Sequence, residues 1–331
     1  LTGADCTADA SETLRTEWAQ KQPNTRQALG ELLKPFNTNG VKRSRDEDGT
    51  DVGGKRPRLS PELASGPDAP QFTLHAVSTT SPIRKKVDIT IGESSITFTN
   101  PTSGNVESTV SLATLRRVFL LPTRGKTKPH WTIVILSSDS TGKDTATTQV
   151  IFGLDATTTA PLAVTRHPDA KELIPKGGDA LPAIKGFIAA LPPSILRYEP
   201  TTDVFKSTVN AFGSSGKTVS TSPGVEAHRA AKSGTLWFMK EGLLWGESKP
   251  CEFWALEDLL NPEEGVRVSP GSGRVFSVTL VRKDDKMDVE GEEDGGVETE
   301  ISMIDSRERD AVHDWVRKHQ SLFGRKAGDV G

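Results

Sequence analysis

The feature that most limits how this chain can fold is a repeated order of elements. Residues 108–122, STVSLATLRRVFLLP, read as strand, short L-x-x-L turn, strand. Residues 251–268, CEFWALEDLLNPEEGVRV, read the same way. Ahead of the first stands VDITIGESSITFT (87–99), where apolar and polar residues alternate on either side of Gly92-Glu93, the mark of a β-hairpin. Ahead of the second stands GTLWFMKEGLLWGE (234–247), a hairpin turning at Lys240-Glu241-Gly242. After the first come two further strands, HWTIVILSS (130–138) and TQVIFGL (148–154). A loop rich in Thr, Pro and Gly follows, then an amphipathic helix over 179–195 with Ile184, Phe187, Ile188 and Leu191 along one side. After the second come GRVFSVTLV (273–281) and ETEISMID (298–305). A helix over 306–323 closes the series, with Asp305 or Ser306 as N-cap and Val312, Trp315 and Val316 facing inward.

A strand series closed by one helix, twice over, is an internal duplication. A small, strongly bent antiparallel barrel leaves an open end that an amphipathic helix can plug. The expected fold is therefore mainly β with helices: two tandem pleckstrin-homology-like barrels, residues 71–198 and 199–324, each closed by a C-terminal helix. Each copy has the length to bury its own core. Residues 1–38 read as a short helical region. Leu14 and Trp18 lie at helical spacing before Pro23, as do Leu29, Leu32, Leu33 and Phe36 after it. Helices this short are marginal in water and need a partner, either their own body or the same segment of a second chain. Residues 325–331 are a tail.

Residues 39–70 form a linker without apolar periodicity, broken by Gly49, Gly53, Gly54 and Pro57, and expected to be disordered. It carries Lys42 and Arg43, then Lys55, Arg56 and Arg58 after an acidic spacer, the pattern of a bipartite nuclear-import signal. The opposite charge gathers at 284–300, DDKMDVEGEEDGGVETE, with nine acids against one lysine; repulsion keeps such a loop solvated, and it is a lure for a basic protein. The net charge of −3 over 331 residues thus hides local segregation, and patches decide what binds. The two cysteines, Cys6 and Cys251, make no disulfide framework, which fits a reducing compartment. With no long apolar run and no leader pattern, the expectation is a protein inside the cell, away from membranes.

Catalytic signatures are missing. AFGSSGKT (211–218) ends like a phosphate-binding loop, yet its first required glycine is Ala211, and Pro223 stops any helix that would hold the anion. His75, His130, His167, His228, His313 and His319 are scattered, with no carboxylate or cysteine at ligand spacing. The expectation is a protein that is not an enzyme, uses no cofactor and no metal, and works through surfaces. One surface is SPIRKKVDI (81–89), where Arg84, Lys85 and Lys86 make a positive strand edge beside Ser81, extended by Arg116, Arg117, Arg124, Lys126 and Lys128. The other is the hairpin tip VSPGSGRVF (268–276), exposing Ser269, Pro270, Gly271, Ser272 and Arg274.

At these residues the chain resembles the fungal regulator of Ty transposition family, tandem pleckstrin-homology chaperones of histones. The pieces that carry the likeness are SPIRKKVDITI (81–91), LPPSILRYEP (191–200), AHRAAKSGTLWFMKEGLLWGESKP (227–250), FSVTL (276–280) and EISMIDSRE (300–308). The resemblance implies a non-enzymatic, nuclear chaperone of histone H3–H4 that prefers acetylated H3. It implies nucleosome assembly on DNA, with roles in heterochromatin silencing and transcription regulation. By the same resemblance, Ser269, Pro270, Gly271, Ser272 and Arg274 touch the histone. Ser81, Arg84, Lys85 and Lys86 assist histone or, more weakly, double-stranded DNA contact. The N-terminal helices form a homo-oligomer, and other chromatin-assembly factors are partners. Two alternatives remain. A phosphoinositide-binding membrane module needs cations on the first hairpin turn of a barrel, and the turns IGESS and MKEGL offer almost none. The other is the tandem-barrel middle region of FACT-type chaperones.

Overall fold

Strand β1 (Phe72–Ser81) sets the plan of the first half. Its opening residues pair with β2 (Lys86–Ile91) and its last with β7 (Gln149–Asp155). A bulge between Leu74 and Val77, with Ala76 at φ 55°, bends the strand between the two pairings. The computed structural model describes residues 68–126, 128–141, 147–209, 221–283 and 296–325, all within the compact unit Ala64–Gly331. The N-terminal unit Leu1–Leu63, with the predicted helices and the import signal at Lys42, Arg43, Lys55, Arg56 and Arg58, lies outside the described residues.

Seven strands of the first half run in the order β5 (Arg117–Pro122), β6 (His130–Leu136), β7, β1, β2, β3 (Ser95–Thr99), β4 (Val106–Ser111). The second half repeats that order with β15 (Val266–Pro270), β16 (Val275–Lys283), β17 (Gly296–Asp305), β11 (Gly224–Arg229), β12 (Lys232–Phe238), β13 (Gly242–Gly246) and β14 (Glu252–Ala255). The duplicated strand–turn–strand pieces hold a 3-10 turn at the same place, Leu112–Thr114 and Leu256–Asp258, each with its leading leucine buried. The fold is thus mainly β, in two sheets, with two α-helices among the described residues: α1 (Leu181–Ala190) and α2 (Arg309–His319).

The barrels are met only in part, one expected loop needs correction, and one short strand lies outside the expected series. No ladder joins β4 to β5 or β14 to β15 among the described residues, so no closed barrel is found in either half. The 3-10 turn anchors its leucine in the core and carries the chain across without pairing the flanking strands. The stretch expected as loop after residue 155 contains a hairpin, β8 (Leu162–Arg166) and β9 (Ala170–Ile174). Leu162, Val164 and Ile174 are buried, and β8 takes the edge of β1 opposite β2. Finally, β10 (Leu196–Tyr198) adds a short parallel strand beside β5.

Each helix covers its own half. Ile184 and Phe187 of α1 are buried, and Phe187 meets Phe72 and Phe152 edge-on. Val312 and Trp315 of α2 are buried, and the Trp315 indole donates to the Met239 carbonyl at 3.2 Å. Asp305 caps the turn leading into α2 by accepting from the Arg307 amide.

A third apolar cluster joins the halves. Phe119, Leu121, Val134, Leu136 and Ile151 from β5–β7 pack on Trp237, Met239, Leu244, Phe253 and Ala255 from β12–β14 and their turns. Neighbouring residues therefore serve opposite cores. Leu236, Phe238, Leu243, Trp245 and Trp254 face the inner core of the second half, while Trp237, Leu244 and Phe253 face the seam. With both faces buried, these strands need unbroken apolar runs. Polar contacts flank the seam. The Gln149 side chain and the Cys251 backbone bond reciprocally at 2.7 and 2.9 Å, and the Phe253 amide donates to the Asp139 carbonyl at 2.9 Å. Burial pushes the Cys251 thiol up to about 12, which leaves it an inert packing group.

Candidate functional site

The turn between β1 and β2 presents the first surface. Thr79 holds it: the amide donates to Lys85 O at 2.9 Å, and the hydroxyl to Ile83 O and Lys85 O at 2.7 and 3.0 Å. Arg84, Lys85 and Lys86 are all exposed on this clamped backbone. Lys85 is paired with Glu107 at 2.8 Å, and that hydrogen bond keeps the Glu107 carboxyl below its usual range. Arg84 and Lys86 have no ion pair or side-chain hydrogen bond among the described residues. Ser81 does not join them, because it is buried and its hydroxyl donates to the Gln149 carbonyl.

Two of the arginines expected to extend this edge are elsewhere. Arg117 lies in the seam, bonded twice to Asp139 (2.6 and 2.7 Å) and to the Tyr198 hydroxyl, with its guanidinium 4.8 Å from the centre of the Phe253 ring. Arg124 is buried between the halves, donating to the Gly224 carbonyl. Arg116, Lys126 and Lys128 remain exposed.

The second surface is the tip of the β15–β16 hairpin. Ser269 pairs with Ser277 and Pro270 with Phe276, and all of Ser269, Pro270, Gly271, Ser272, Gly273 and Arg274 are exposed. Glycine is required twice here. Gly273 has φ +72°, and a Cβ at Gly271 would fall 2.7 Å from the Val275 carbonyl oxygen. The base of the tip is tied to the approach to α2, since the Ser306 amide donates to the Arg274 carbonyl at 2.8 Å. Such a tip offers small hydroxyls, backbone groups and one guanidinium from a fixed frame. Most of the acidic stretch, residues 284–295, lies outside the described residues. Its end begins β17, where Glu298 pairs with Arg267.

A third feature was not foreseen: a cleft of about 690 Å³ between the halves, on whose walls Arg124, Lys126, His130, Glu226, His228 and Glu247 converge. These residues come from β5, β6, β11 and β13 or the turns beside them, and their distance in sequence hid the convergence. Enclosure pushes the Glu247 carboxyl up to about 7, against the Arg124 amide and the Thr235 hydroxyl that favour its charge. Burial, and then the Lys126 charge, hold His130 below the usual imidazole value. Among the described residues no group of three or more His, Cys, Asp or Glu could hold a metal ion, and no helix is long and apolar enough to cross a membrane.

The molecule is thus a duplicated, mainly β binding scaffold whose candidate sites are exposed turns on two fused sheets. Residues 223–324 match the family described as histone chaperone Rttp106-like, middle domain. The histone chaperone rtt106 of Aspergillus fumigatus is 27% identical over 257 residues, covering 75% of this chain and 53% of that protein. The histone chaperone RTT106 of Candida glabrata is 34% identical over 97 residues, 29% of this chain and 19% of that protein. A Schizosaccharomyces pombe protein named meiotically up-regulated gene 183 is 25% identical over 257 residues, 76% of this chain and 62% of that protein. The chain is thus similar to histone chaperones of the Rtt106 family, and the family's middle domain matches over residues 223–324. It spans about half the length of the first curated relatives it matches.

Proposed function

We propose that this chain binds histone H3–H4, with a preference for acetylated H3, and deposits it on DNA during nucleosome assembly without bond chemistry of its own. The histone contacts are Ser269, Pro270, Gly271, Ser272 and Arg274, assisted by Arg84, Lys85 and Lys86, which also serve weaker duplex DNA contact. One observation carries the reading. The hairpin tip is fully exposed yet held by two conformationally required glycines and a backbone bond into the α2 approach. A preorganised tip loses little entropy on binding. The reading of two pleckstrin-homology-like domains, 71–198 and 199–324, is supported by the same seven-strand order followed by a helix in both halves. Nuclear import through Lys42, Arg43, Lys55, Arg56 and Arg58, self-association through residues 1–38, and roles in silencing and transcription belong to the same proposal.

The test is H3–H4 affinity of Arg274→Ala and of a variant with residues 269–273 replaced by an unrelated turn. Both should weaken binding at least tenfold, about 1.4 kcal/mol. Unchanged affinity in both removes the assigned site.

A second reading gains from one observation. The first hairpin turn of the first half is residues 82–85, which carries Arg84 and Lys85, and not the cation-poor IGESS turn. Those cations suit a phosphoinositide headgroup. Salt-sensitive pelleting with phosphoinositide vesicles, lost in Arg84→Gln/Lys86→Gln, would favour it over the histone reading of that edge.

A further inference from the structure

The cleft between the halves has the features of a binding site that neither exposed turn explains. The Arg124 side chain is only 5% exposed, and its Nε is buried without a hydrogen-bond partner. The nearest carboxylate oxygen, on Glu226, is 3.7 Å away, too far for a hydrogen bond. His228 Nδ1, on β11 and also lining the cleft, is likewise buried and unpartnered. Two buried nitrogens without a hydrogen-bond partner, one from each half and one of them on a permanently charged guanidinium, call for an oxygen acceptor.

The charge balance narrows the acceptor. Arg124 and Lys126 stand against Glu226, which is exposed at the rim, and Glu247, whose carboxyl near pH 7 is only partly ionised. His130 is held towards its neutral form, with Nδ1 2.8 Å from the Thr123 hydroxyl. The sum is a modest positive charge. That suits a singly charged carboxylate better than a phosphate dianion, which would bring twice the charge against the same two acidic side chains. The space is shaped by glycines. A Cβ at Gly153 would fall 2.4 Å from His130 Cε1, and one at Gly234 would fall 2.7 Å from Trp245 Cζ2. Met303, exposed on the same cleft, offers an adaptable apolar contact for the chain that carries the carboxylate.

We propose that this cleft binds an acidic peptide segment of a partner protein, Arg124 and His228 donating to the oxygens of one buried carboxylate. The site is separate from both exposed turns and does not depend on the histone assignment.

The experiment titrates the full 331-residue chain with an end-capped hexaglutamate peptide by calorimetry, with inorganic phosphate and acidic-residue-free peptide in parallel. Saturable binding of the hexaglutamate is expected, weakened tenfold or more by His228→Ala and by Ser233→Trp. Ser233 is exposed, lines the cleft and pairs with His228 across the β11–β12 ladder, so the tryptophan plugs the site without disturbing a core. Arg124→Gln should do the same, and the other two variants keep the test valid if loss of the Gly224 contact impairs folding. Lys176→Gln, at an exposed lysine outside the cleft and both turns, should leave hexaglutamate affinity unchanged. Binding should also weaken from pH 6 to 8 as Glu247 ionises among Arg124, Lys126, Glu226, His130 and His228, with proton uptake on binding near pH 7. The proposal is overturned by absence of saturation, by equal affinity in Ser233→Trp and His228→Ala, or by phosphate binding as tightly as hexaglutamate.

Discussion

Removing the Asp139 carboxylate tests whether the halves are one cooperative body. Arg117 and Asp139 form a two-pronged pair at 2.6 and 2.7 Å, with side chains only 13% and 12% exposed. In Asp139→Ala the guanidinium keeps the Tyr198 hydroxyl and the Phe253 ring but loses its only counter-charge at hydrogen-bond distance among the described residues. Stranding a buried charge in this way costs about 3–5 kcal/mol. At roughly 2–4 °C per kcal/mol for a body of this size, the midpoint should fall by about 6–20 °C. Replacing both residues, Arg117→Leu/Asp139→Leu, should cost clearly less than the single change, because no unpaired charge remains. The backbone bond from Phe253 to the Asp139 carbonyl survives in every variant. Urea unfolding followed by tryptophan fluorescence and by circular dichroism measures all three proteins, and the two probes should coincide. A loss under 1 kcal/mol in the single variant, or a double variant as unstable as the single, would refute the reasoning.

Glu247 gives a pH dependence. Its folded value of about 7 lies above an ordinary carboxyl, so the folded state holds the proton more tightly and stability falls as pH rises from about 4.5 to 7. Glu247→Gln should remove that fall and gain up to about 3 kcal/mol at pH 8, measured by urea midpoints at pH 5 and pH 8. A Cβ at Gly242 would lie 2.1 Å from the Trp254 carbonyl oxygen, so Gly242→Ala should lose on the order of 3 kcal/mol in the same assay. If Arg84 and Lys86 each contact one phosphate, Arg84→Gln/Lys86→Gln should lower the slope of log K against log salt for duplex DNA by about 2, with the fold unchanged. Expressed alone, residues 199–324 would expose Trp237, Leu244 and Phe253 together, and should self-associate in sedimentation where residues 64–331 stay dispersed.

The duplication was legible because each piece carries a period that one buried face imposes. VDITIGESSITFT alternates, and β2 and β3 bury every second residue. The runs RVFLLP, TLWF and EFWA carry more information than a strand assignment. Consecutive apolar residues on a strand cannot share a face, so both faces must be covered, and the second cover is the other half of the chain. The fused seam is therefore implied by those runs, although the pairing of β5–β7 with β12–β14 is a tertiary fact that no local pattern holds. The arginines show the opposite limit. Arg84 and Arg117 look alike in sequence, each beside another cation at the start of a strand. What separates an exposed, unpaired Arg84 from a buried Arg117 is Asp139, twenty-two positions on and brought close by the β5–β6 ladder. Charge runs name candidates for a binding edge; only the fold says which charges are already neutralised. By that rule Lys85 is spent on Glu107 and Arg117 on Asp139, Arg84 and Lys86 stay exposed and unpaired, and Arg124 reappears between the halves with an unpartnered nitrogen.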